Sequence, residues 1–83
     1  METTFPDQDA LKRQLDGELR LVHEAILLVA AGGSPRVLVA GLRLGAQILA
    51  PARRLAQASG VRLVPLWSAD EAHLDIRIEA EQP

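Results

Sequence analysis

The chain contains no cysteine and only two histidines, His23 and His73, which lie far apart in the sequence. Disulfide bonds are therefore excluded, and a structural zinc site, which takes four cysteine or histidine ligands, has no ligand set here. A chain of 83 residues buries a modest core, and such chains often need a cross-link, a metal or a second subunit. Because the first two are missing, we expect association with another chain.

Aromatic residues are nearly absent as well, since Phe5 and Trp67 are the only two. The core is therefore expected to be aliphatic. Proteins that bind single-stranded nucleic acid stack the bases on aromatic side chains, and this chain has almost none to offer. A net charge of −2 also gives little nonspecific attraction for a phosphate backbone. The sequence thus argues against a nucleic-acid partner.

No segment has the pattern of a targeting signal or a membrane span. The first residues are polar and acidic, whereas a signal peptide begins basic and continues apolar. The longest uncharged apolar run, residues 25–31, is far too short to cross a bilayer. We therefore expect a soluble cytoplasmic domain with no membrane contact, organised as a flexible tail (residues 1–6) and a single α/β domain (residues 7–81).

A long first helix is predicted from Asp7 or Asp9, either of which can cap it, to about Ala31. Its apolar residues recur at heptad-like spacing and form one seam: Leu15, Leu19, Val22, Ile26 and Val29. A second apolar set predicts burial on more than one side of the C-terminal half: Leu21, Ala25 and Leu28. Such a helix would extend beyond short strands, so its seam either contacts a second subunit or packs on the chain's own sheet.

Two aliphatic runs, residues 37–40 and 61–66, flank a second helix predicted over about 44–59. The strand–helix–strand order predicts a parallel pair with a right-handed βαβ crossover, and the first strand reads as covered on both faces. Residues 74–79 alternate strictly between apolar and charged, which predicts a third strand, antiparallel to the second, at the sheet edge. The fold class is α/β, in the order α-β-α-β-β, with a three-stranded mixed sheet.

The segment Gly41-Leu42-Arg43-Leu44-Gly45 follows the first predicted strand and begins the second helix. Unpaired amides at a helix N-terminus attract anions, and Arg43 can clamp a phosphate or carboxylate there. The segment lacks the lysine and hydroxyl residue of a P-loop, and its leucines suit packing. Two interpretations stay open: an anion site formed by Gly41, Arg43 and Gly45, or a tight corner that needs small residues.

No catalytic residue, cofactor site or metal site emerges from the remaining polar residues. His23 lies inside a helical pattern and His73 at a turn, and no nucleophile-elbow motif is present. Residues 25–69 carry five arginines and no acid, while both ends of the chain are acidic. This charge layout predicts either contact between the basic middle and the acidic ends or an anion-binding face.

These observations favour a non-catalytic protein-interaction or assembly domain that acts as a homo-oligomer, most simply a dimer. The expected interface uses the first helix, together with Trp67 as an apolar anchor. Its predicted residues are Leu15, Leu19, Val22, Ile26 and Trp67. The alternative hypothesis is a small-anion or nucleotide-binding module built on the Gly41–Gly45 segment.

Overall fold

The computed structural model describes residues 6–81, in which the first helix, α1, spans Pro6–Ala30. The helix begins slightly before the predicted caps, at a proline, whose missing N–H has no helical partner to lose at that position. Gly32, with φ 83°, ends it, and the amides of Gly32 and Gly33 donate to the carbonyls of Val29 and Leu28. The predicted stop is confirmed. The flexible tail predicted over residues 1–6 lies outside the described residues except for Pro6.

The other elements follow in the predicted order. Strand β1 spans Arg36–Leu42, helix α2 spans Gly45–Ser59, and strands β2 and β3 span Val61–Trp67 and Leu74–Ala80. Gly60, with φ 71°, ends α2 in the left-handed conformation, as its position predicts. The order α-β-α-β-β and the three-stranded sheet are thus confirmed.

The pairing of the strands differs from the prediction. The sheet order is β1-β3-β2, and both ladders are antiparallel, so β3 lies in the centre and the parallel strands β1 and β2 do not touch. The predictions of a mixed sheet with a directly paired βαβ unit and of β3 as an edge are wrong. Alternation indicates one solvated face, and in a sheet that helices cover on one side only, the central strand alternates as well.

Both helices pack on the same face of this sheet, so the core is a single layer between the helices and the sheet. From the sheet, the alternate residues of β3 enter that layer, and the helices contribute the side chains opposite them. Its fully buried large side chains are Val22, Ile26, Leu42, Ile48, Leu74, Ile76 and Ile78. The opposite face of the sheet is open, and Leu38 of β1 is 54% exposed on it. The prediction that β1 is covered on both faces is therefore wrong.

Helix α1 extends well beyond the sheet, as its length predicts. Its 25 residues span about 37 Å at the helical rise, whereas a seven-residue strand spans about 23 Å. The side chains of residues 9–14 are all exposed. Over residues 6–81, no helix has the length and apolar character that crossing a membrane requires.

Candidate interaction surface

The segment from Gly41 to Gly45 forms a tight corner between β1 and α2. Gly41 adopts φ 75°, a conformation that favours glycine, and it lies where the register between β1 and β3 shifts. A Cβ on Gly45 would lie 2.5 Å from the Cβ of Leu74, a residue with no exposed surface. Both positions therefore require glycine for a geometric reason. Gly41 needs it for its positive φ, and Gly45 needs it because a Cβ would clash with Leu74.

The backbone amides of this corner are bonded to carboxylates of the chain itself. Glu18 of α1 accepts hydrogen bonds from the amides of Arg43 at 3.0 Å and Leu44 at 2.8 Å, and from the Gln14 side chain at 3.1 Å. Asp75 accepts a hydrogen bond from the amide of Gly41 at 2.9 Å. Since Glu18 is only 9% exposed, its carboxylate occupies the place at the start of α2 where an external anion would bind.

The environment of Glu18 stabilises its charged form. Burial by itself would raise the pKa of this carboxyl group, but the hydrogen bonds from Gln14, Leu44 and Arg43 and the positive charge of Arg43 outweigh that effect. The pKa of Glu18 is consequently held below its ordinary value. This internal carboxylate links the middle of α1 to the start of α2.

The backbone amides of the predicted anion site are thus hydrogen-bonded to side chains of the chain itself. Arg43 is exposed, Gly45 is buried against Leu74, and the amides of Gly41, Arg43 and Leu44 already have partners. The geometry adds no support for an external anion here. It agrees instead with the interpretation of the segment as a corner, and with contact between acidic and basic parts of the chain.

The predicted interface residues of α1 face the chain's own sheet. Val22 and Ile26 have no exposed surface, and Leu15 and Leu19 are partly buried against the same core. Val22 and Ile26 are therefore not accessible to a second subunit in this structure. Trp67 is 45% exposed, but it belongs to β2, at the opposite edge of the sheet from β1. The structure does not bring Trp67 and the α1 seam into one surface.

The second apolar set on α1 points elsewhere. Ala25 is buried, but Leu21 and Leu28 are 53% and 47% exposed, beside the outer edge of β1. They share a shallow groove with β1, and we call this area the α1/β1 surface, defined by Leu21, Glu24, Leu28, Leu38 and Ala40. The sequence predicts burial on this side of the helix, and within the described residues nothing covers it.

The edge strand that borders this surface carries little protection against pairing. Between Val37 and Leu42, β1 contains no charged residue and no proline. Edge strands commonly carry charges, prolines or coverings that prevent contact with other chains. The charged residue on β1 is Arg36 at its start. The Nε atom of Arg36 lies 3.6 Å from Oε2 of Glu79 on β3.

The other polar candidates lie in exposed or locally bonded positions. His23 and His73 are exposed, and Ser68 and Asp70 bond to each other and to backbone amides within the β2–β3 turn. Hydrogen bonds from Ser68 and the amide of Ala72 hold the pKa of Asp70 below its usual range. Over the part of the chain that the structure describes, no three acidic or histidine side chains are grouped to hold a metal ion.

Comparisons with known proteins return no relative: no family model, no curated protein and no solved structure matches this chain.

Proposed function

We propose that this protein is a non-catalytic assembly domain that forms a homodimer through the α1/β1 surface. Leu21 and Leu28 are each about half exposed on α1 beside the uncharged edge of β1, and this observation carries the proposal. Leu38 of the same edge strand is 54% exposed on the opposite face of the sheet. Exposed apolar clusters of this kind mark interaction sites more often than isolated surface leucines do.

The organisation of the chain supports this interpretation. The core is a single layer between two helices and one sheet face. The chain has no cysteine to form a disulfide, and among the described residues the side chains of the core are all aliphatic. Small domains of this kind gain stability when a second subunit buries further apolar area. A two-fold dimer needs one self-complementary patch, and a largely uncharged surface meets that condition because it does not repel its own copy.

The proposed interface includes the first helix, as the sequence predicts, but it uses another face of that helix. Leu21 and Leu28 take the interface role that the sequence predicts for Val22 and Ile26, because the chain's own sheet covers Val22 and Ile26. For Leu15, Leu19 and Trp67 an interface role stays a prediction. The corner gives no support to the alternative of an anion-binding module, because the amides of Gly41, Arg43 and Leu44 are bonded to Asp75 and Glu18.

Leu21→Lys is expected to weaken the dimer about tenfold or more, because it places a charge at the centre of the contact and removes apolar burial. Leu27→Lys is the matched control, since Leu27 lies on the same helix and is 51% exposed, against 53% for Leu21, but does not line the groove. Sedimentation equilibrium of both variants and the wild type gives the three dissociation constants.

The pair of variants separates a specific contact from general loss of hydrophobicity. Equal weakening by both substitutions would contradict the assignment of the α1/β1 surface. Thermal unfolding of each variant at low concentration, where the chains are dissociated, checks that the fold itself is retained.

A further inference from the structure

The hydrogen-bonding pattern of the sheet determines which backbone groups of β1 face outward. The amide of Ala80 donates to the carbonyl of Pro35, and Arg36 is the partner of Glu79 in the ladder. In an antiparallel ladder, residues alternate between pointing their backbone groups toward the neighbouring strand and away from it. The N–H and C=O groups of Arg36 and Leu38 therefore point to the open edge, and this alternation ends at Val39, beyond which the register shifts.

The other edge of the sheet is blocked at the corresponding place. On β2, the amide of Ser68 donates to the carbonyl of His73, so Leu66 and Val64 point their backbone groups inward to β3. Pro65 then occupies an outward-facing position, where an added strand would need an N–H donor that proline lacks. The two edges differ: β2 resists strand addition, and β1 is open to it.

We propose that in the homodimer, on which this inference rests, β1 pairs antiparallel with β1 of the second copy. This pairing joins the two sheets into one sheet of six strands. The two-fold axis passes between the two copies of Leu38. The outward N–H and C=O of Leu38 then meet those of Leu38 of the partner subunit, and Arg36 lies opposite the partner subunit's Ala40, where the regular ladder of β1 ends.

This register is also complementary in charge and in shape. Arg36 projects on the open face of the sheet, the face that also carries Asp75 on the central strand. Pairing around Leu38 brings Arg36 of each copy, which lies 3.6 Å from Glu79 of its own chain, toward the partner's Asp75, whose Oδ1 accepts a hydrogen bond from the Gly41 amide. On the helical face, the exposed leucines of α1 flank the same axis, so that strand pairing and helix contact bury one continuous surface.

The test compares Leu38→Pro with Leu38→Ala in the full chain by sedimentation equilibrium. Both substitutions remove the half-exposed leucine side chain, but only proline removes the outward N–H. Because that N–H points away from β3 in the ladder, the monomer tolerates the proline as an edge strand does. We expect Leu38→Pro to weaken the dimer about tenfold more than Leu38→Ala does.

Amide hydrogen exchange of the wild type provides a second measurement that does not depend on the folding of a variant. The Leu38 amide is expected to gain protection as the protein concentration rises through the dissociation constant. A wild-type dimer with an unprotected Leu38 amide, or equal dissociation constants for the two variants, would overturn strand pairing and leave the homodimer standing. A wild type that stays monomeric would overturn both.

Discussion

Gly45→Ala is expected to destabilise the fold by about 3 kcal/mol, as overpacking of a well-filled core does. The added Cβ would lie 2.5 Å from the Cβ and 2.7 Å from a Cδ atom of Leu74. A Cβ atom is fixed to its backbone, so Leu74 cannot relieve the clash by changing rotamer. The start of α2 must instead move away from the central strand, and this disturbs the corner that Glu18 closes. Urea or thermal unfolding measures the loss.

Gly17→Ala is the matched control for this substitution. Gly17 lies inside α1, and a Cβ added there would meet no atom within 4 Å. Alanine is the better helix former, so this change is expected to stabilise the fold by about 0.5–1 kcal/mol. If Gly45→Ala were as harmless as Gly17→Ala, the close contact between α2 and Leu74 would not exist in solution.

Glu18→Ala is expected to cost about 2 kcal/mol, because it leaves the amides of Arg43 and Leu44 without their charged acceptor. Since Glu18 is almost fully buried, water only partly replaces the missing carboxylate. Asp16→Asn on the same helix is the control, because that side chain is exposed. An equal loss in both variants would contradict the role of Glu18 in closing the corner.

The same carboxylate predicts how stability depends on pH. The pKa of Glu18 in the folded chain lies below its ordinary value of 4.5, so the folded state prefers the charged form. The resulting stabilisation is fully present above pH 4.5 and is lost as the pH falls through the lower pKa of the folded state. Glu18→Gln should therefore lose less stability than the wild type between neutral and acidic pH. A free energy of unfolding that decreases equally in both proteins as the pH is lowered would contradict this.

Most elements of the fold follow from local signals in the sequence. Gly32 and Gly60 mark the helix ends because each adopts the left-handed conformation that ends a helix. The alternation of Leu74, Ile76 and Ile78 correctly predicts a strand with one buried face. The strand order was not predictable in this way, because an alternating pattern fits a central strand of a one-sided sheet as well as an edge strand.

The candidate surface was predictable only in part. The apolar set of Leu21, Ala25 and Leu28 indicates a second contact side on α1, but periodicity does not show which side meets the chain's own sheet. No pattern in the sequence indicates the role of Glu18. An acidic residue in a helix is normally expected to face water, and the amides that bond to Glu18 lie 25 and 26 residues away. Likewise, the open edge of β1 becomes visible only when β3 is known to lie in the centre.

Sedimentation equilibrium of the wild-type chain over a wide range of concentration tests the proposed homodimer most directly. The predicted result is a mass that rises with concentration from 9.0 kDa, the mass of one chain, to twice that value. The plateau should lie at the dimer and not continue to higher assemblies, because a two-fold contact uses the open edge of both copies. A mass that stays at that of one chain up to high micromolar concentration would contradict assembly through the α1/β1 surface.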